Sequence, residues 1–93
     1  MISTTEFFKA ADCGDIDKLQ EGIDTFKNID ILDENNMTAL GRAVSAGSID
    51  AVRLLLDAKA STAAVYKDEK SILDWARDQE EGDIPKLIML YNY

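Results

Sequence analysis

The sequence predicts an all-α fold, a helical solenoid of stacked helix-turn-helix units joined by short hairpin-like turns. Three observations carry this prediction. The first is an internal repeat of about 33 residues, a period at which helical repeat proteins stack one supersecondary unit on the next. Shifting Asp33 to Ala60, DENNMTALGRAVSAGSIDAVRLLLDAKA, back by that period lays Leu40, Ala43, Gly47, Val52 and Leu56 over Phe7, Ala10, Gly14, Leu19 and Ile23. Shifting it forward lays Thr38, Leu40 and Ala43 over Ser71, Leu73 and Ala76. Two extra residues intervene, after which Gly47, Ile49, Val52, Leu55 and Leu56 fall on Gly82, Ile84, Leu87, Leu90 and Tyr91. The second observation is punctuation, with a polar cap before each short apolar stripe and a glycine between the two helices of each pair. The third is size: 93 residues make one domain over 1–93, with units of about 3–32, 33–65 and 66–93. A single compact core of this size is marginal without stacking or ligands.

Ser3, with Glu6 three residues on, reads as a capping box that satisfies free N–H groups in the first turn of a first helix. Phe7, Ala10 and Ala11 mark its buried face, and Gly14 ends it. Asp15 then caps a second helix with Ile16, Leu19 and Ile23 along one side and Phe26 a turn further. Gly22 interrupts that helix where the central unit has Leu55. Glycine costs about 1 kcal/mol against alanine in a helix interior, so either this unit is loose or a neighbour approaches closely there.

Residues 27–37, KNIDILDENNM, read as an extended segment entering a tight turn. Thr38 opens a third helix, carrying Leu40, Ala43 and Ala46, that stops at Gly47. Ser48 caps the fourth, whose Ile49, Val52, Leu55 and Leu56 form the most continuous apolar stripe and predict the core. STAAVYKDEK makes a second extended connection and turn. Ser71 and Asp74 repeat the capping pattern before Leu73, Trp75 and Ala76. The loop RDQEEGD is two residues longer than its counterparts, Asp83 is placed to cap the last helix, and Pro85 falls in its first turn. The ending LIMLYNY is apolar where the outer face of a solenoid is expected to be polar. These residues either pack inward on Trp75 or meet another chain.

Eighteen acidic against ten basic residues give a net charge of -8 with no histidine. Phosphate backbones and anionic membranes are repelled, which predicts no direct nucleic-acid contact and no membrane contact, and a basic protein surface is the natural electrostatic partner. Acidity of this kind also keeps a small protein soluble. The lone Cys13 excludes an intrachain disulfide and fits a reducing compartment. No apolar run approaches membrane-spanning length, and MISTTEFF lacks the basic start and apolar core of a secretory signal, so a cytoplasmic protein is expected.

An enzyme needs a constellation that this chain lacks. There is no histidine for proton transfer or metal binding and no glycine-rich phosphate cradle, so no catalytic residue, cofactor or metal is expected. Glu80 and Glu81 have neither calcium-loop spacing nor a cleft to serve. Cys13, between Asp12 and Asp15, reads as a buried or half-buried structural cysteine rather than a nucleophile.

With MTALGRAVSAGSIDAVRLLLDAKA in the middle, FFKAADCGDIDKL before it and SILDWA with GDIPKLIMLY after it, the chain resembles an ankyrin-repeat protein from Phe7 to Tyr91, its terminal repeats partly degenerate. The family's threonine, proline, leucine, histidine opening stands here as Thr38, Ala39, Leu40, Gly41 and as Ser71, Ile72, Leu73, Asp74, so its threonine to histidine bonding is absent. Lys59 replaces the glycine that commonly ends the second helix.

The resemblance implies non-enzymatic protein binding through turn tips and the exposed inner helix face. Carried over by position, the contact residues are Asp12 and Cys13 in the first unit. In the second they are Leu32, Glu34, Asn35 and Met37 at the turn, then Ser45 and Ala46. In the third they are Lys67, Asp68 and Lys70, then Asp78 and Gln79. Leu32 and Met37 either contact a partner or tuck beneath the turn as core.

Stacking aligns equivalent loops, so Asp12, Asp15, Asp17, Asp50, Asp78, Glu80, Glu81 and Asp83 are expected on one ridge with few cations nearby. Helix termini account for Asp15, Asp17, Asp50 and Asp83. Asp12, Asp78, Glu80 and Glu81 are left as candidates for a cationic partner, the inserted loop first. The function expected is a small acidic inhibitor that covers the working surface of a toxin, nuclease or nucleic-acid-binding effector. The alternative is a structural or adaptor subunit that docks or forms a homodimer through Leu87, Leu90, Tyr91 and Tyr93.

Overall fold

In the computed structural model, which describes residues 2–67, 69–79 and 81–91, the chain forms three helix pairs. The first pair is α1 (Thr4–Cys13) and α2 (Ile16–Thr25), and the second is α3 (Ala39–Ala46) and α4 (Ile49–Asp57). A two-stranded antiparallel hairpin, β1 (Val65–Lys67) and β2 (Lys70–Ser71), leads into α5 (Ile72–Asp78) and α6 (Asp83–Leu90). The hairpin answers the second extended connection, whereas the first, residues 27–37, carries a turn without strand pairing.

Four of the expected helix starts have the expected chemistry. Ser3 and Glu6 form both halves of the capping box, with Glu6 N–H donating to Ser3 Oγ at 3.2 Å and Ser3 N–H to Glu6 Oε1 at 3.3 Å. Asp15, Thr38 and Ser71 accept from the backbone N–H three residues on, Lys18, Gly41 and Asp74.

Two starts differ. Ser48 occupies the N-cap position of α4, but its side chain makes no capping bond. Its Oγ instead lies against the Gly14 loop, 2.8 Å from where a Cβ on that glycine would stand. The lengthened loop also moves the start of α6: Gly82, at φ 127, is the N-cap, and Asp83 is the first helical residue with no capping bond. Lys59 adopts φ 72, taking by itself the left-handed geometry that a glycine would have supplied.

Within each pair the two helices pack on one another. Between pairs, α1 packs on α3, α2 on α4, and α4 on α6, so the outer helix α6 rather than the inner α5 makes the principal attachment of the last pair. Phe7, Leu19, Leu40, Val52, Leu55, Ile72 and Ile88 are essentially inaccessible and form one contiguous core. Ile16, read on the apolar side of α2, is exposed instead, at the first position of the helix. Ile72 takes the fully buried place assigned to Leu73, which is half-buried with a helix pair on only one side of it.

Gly22 is explained by close approach, not looseness. A Cβ there would lie 2.8 Å from Phe7 Cε1 and nearer still to Cδ1, and the same ring meets Phe26 edge-on at 5.4 Å between centroids. In α6, Ile88 is buried and Leu87 partly so, while Met89, Leu90 and Tyr91 are exposed. The Tyr91 hydroxyl donates to Asp57 on α4. Tyr93 lies outside the described residues.

Candidate protein-binding surface

The turn at 33–37 is built around one carboxylate. Asp33 Oδ1 accepts from the N–H groups of Asn35 at 2.8 Å and Met37 at 2.9 Å, and Asp33 N–H donates to the Met37 carbonyl at 2.9 Å. Asn36 takes φ 61 at the corner, which a short amide side chain tolerates better than most. The second oxygen of Asp33 accepts from Arg42 Nε at 2.5 Å, and Arg42 also donates to Asp12 Oδ2 at 3.0 Å. One guanidinium on α3 therefore holds the turn and the end of α1 together.

The Asp33 side chain is only 5% exposed. Burial alone would push its carboxyl up, but the hydrogen bonds from Met37, Arg42 and Asn35 outweigh this and hold it below the ordinary 3.8. Hydrogen bonding to Asp33 correspondingly raises the Arg42 guanidinium, against the opposing effect of its own burial.

Between α1 and this turn lies an open cleft of about 400 Å3. Phe8, buried, and Leu32, 57% exposed, supply apolar surface to it. Asp12, Glu34, Lys9 and Arg42 supply charge of both signs, and Thr4 and Thr5 line its far side.

Of the expected contact residues, this cleft gathers Asp12, Leu32 and Glu34, with Asn35 exposed at the adjoining turn tip. Asp12 is exposed and at the same time ion-paired with Arg42. Met37 is half-buried, packed against the core. Ser45 and Ala46 are exposed at the end of α3, away from the cleft. Cys13 is exposed, contrary to expectation, since it sits on the outer side of the last turn of α1.

In the last pair, Lys70 and Asp78 form an ion pair with one another. Asp68, Glu80 and the side chain of Lys67 lie outside the described residues. Gln79 and Glu81 stand at a second cleft, near Trp75.

Several of the carboxylates expected on one ridge have a cation beside them. Arg42 pairs with Asp12, Lys70 with Asp78, and Arg53 approaches Asp50 at 4.0 Å. Sequence reasoning missed Phe8, Lys9, Asp33 and Arg42. The period carried a usable signal for two of them, because the same shift places Arg42 over Lys9 and under Trp75, one inner-helix position read three times.

The family profile described as ankyrin repeats (many copies) matches residues 7–56, rather more than half of the chain. The chain belongs to the ankyrin-repeat family. No curated protein matches it. Ankyrin repeats generally mediate non-enzymatic protein–protein interactions. In this ankyrin-repeat chain no group of histidine, cysteine, aspartate or glutamate side chains among the described residues is arranged to hold a metal ion. Nor is any helix among them long and apolar enough to cross a membrane.

Proposed function

We propose that this ankyrin-repeat chain is an acidic inhibitor acting in the cytoplasm, three stacked units of about 3–32, 33–65 and 66–93 with degenerate ends. It binds a partner protein and covers a basic working surface such as that of a toxin, nuclease or nucleic-acid-binding effector. The observation that carries this reading is the cleft between α1 and the 33–37 turn. Its exposed Leu32 and the Phe8 beneath offer an apolar seat, and Glu34 stands at the edge with no ion pair among the described residues. A net charge of -8 adds long-range attraction for a cationic surface.

The test is affinity capture with the whole chain as bait, beside a Leu32→Asp, Glu34→Lys variant that alters the cleft and spares the Arg42 bonds. We expect the partner to lose tenfold or more in affinity for the variant, and its activity to be blocked by the unaltered chain alone. Equal capture by both baits would remove the cleft from the interface.

The adaptor reading draws on α6, where Leu90 is 65% exposed and Met89 and Tyr91 are exposed beside it. Leu87 is partly buried against the core and has less to offer a partner. Mass measurement at two concentrations separates the readings: a dimer dispersed by Leu90→Asp favours docking through α6, and a persistent monomer favours the inhibitor.

A further inference from the structure

A gap lies at the C-terminal ends of α3 and α5. It is a second cleft of about 420 Å3, at the opposite end of α3 from the 33–37 turn. Its apolar side comes from Ile49, Trp75, Ile84 and Pro85, buried or half-buried, and its rim carries the exposed Glu81 and Asp83. No lysine or arginine lines it among the described residues, and neither carboxylate is ion-paired within them.

Gln79, Glu81 and Gly82 of the lengthened loop form the outer wall of this cleft. Gln79 Nε2 donates to the Trp75 carbonyl at 3.3 Å, anchoring one end. At the other end Gly82 takes φ 127, where a Cβ would also stand 3.1 Å from Pro85 Cδ. Between the first and second pairs, by contrast, α1 packs on α3.

We infer that this cleft seats an arginine or lysine side chain from a segment of the partner protein. The inference rests on the protein-binding reading above but concerns a different surface from the 33–37 cleft. The long aliphatic stem of a basic residue matches the apolar side, leaving its charged head at the rim beside Glu81 and Asp83. A nearby tryptophan adds attraction for a cation. A wholly aliphatic side chain would strip water from the two carboxylates without replacing it, and an acidic one would be repelled. A second copy of this chain, itself at -8, is disfavoured for the same reason.

Trp75 is the single tryptophan of the chain, so its fluorescence reports on this cleft directly. The whole chain is titrated with a blocked peptide alternating leucine and arginine, and separately with its leucine and glutamate counterpart. The arginine peptide is expected to shift Trp75 emission saturably and the glutamate peptide to leave it unchanged. Glu81→Gln should weaken the response about threefold, and Glu81→Gln with Asp83→Asn tenfold or more. Asp17→Asn with Asp24→Asn, which removes the same charge elsewhere, should change it less than twofold. Leu32→Asp should also change it less than twofold, so failure of the 33–37 cleft as an interface leaves this result readable. The inference is overturned by a silent Trp75, by equal weakening from the remote pair, or by a response to spermidine as strong as to the peptide.

Discussion

Gly22 and Phe7 show how much one contact decides at the scale of a residue. Propensity alone says that alanine at position 22 would gain about 1 kcal/mol within α2. The Phe7 ring occupies the space that the new methyl group needs, and overpacking a tight core costs about 1–3 kcal/mol. The second effect is the larger, so Gly22→Ala is expected to destabilise the chain by about 1 kcal/mol net. Chemical denaturation of the single variants and the double one checks this. In a Phe7→Leu background, with the ring gone, Gly22→Ala should turn neutral or stabilising, and a loss of equal size in both backgrounds would exclude the ring as its cause. The sequence marks Gly22 as odd by its register against Leu55. It cannot choose between looseness and close approach, because that choice depends on Phe7 meeting the helix face from another element.

At the scale of an element, the 33–37 turn depends on a carboxylate whose neighbours in space are far apart in sequence. Asp33 serves two turn N–H groups and, through Arg42, ties the turn to Asp12 on α1. Since the folded chain holds Asp33 below its ordinary 3.8, its contribution to stability is fully present above that value. It is lost as the pH falls through the lower folded-state value. Unfolding of the whole chain measured between pH 6 and pH 2.5 should therefore show a drop below about pH 4, shallower in Asp33→Asn than in the unaltered chain. Parallel curves would show that Asp33 contributes nothing across this range. The turn itself was legible from DENN, but the clasp was not, since only the packing of α3 on α1 brings Arg42 near Asp12.

For the whole molecule, the period of about 33 residues revealed the three helix pairs, while the strength with which they are coupled stayed hidden. The first two pairs meet through α1 with α3 and α2 with α4, whereas the helices of the third meet the second chiefly through α4 and α6, with Tyr66 of β1 beside Gly41 of α3. The hydrogen bond from Tyr91 to Asp57 lies on that same outer side, which leaves the inner side of α5 beside a cleft. Stability in stacked repeats is approximately a sum of unit and nearest-neighbour interface contributions. The pair with the thinner interface should open first, even though Ile72, Ala76 and Ile88 are fully buried. Native-state hydrogen exchange is therefore expected to show α5 and α6 opening at a free energy at least about 1 kcal/mol below that of α3 and α4, a fivefold or greater difference in exchange. Tyr91→Phe, which removes the Asp57 bond while keeping the ring, should widen that difference and leave α1 and α2 unchanged. Uniform protection across all six helices would mean that the chain unfolds as one unit, with the α4 to α6 contact as strong as the double attachment between the first and second pairs.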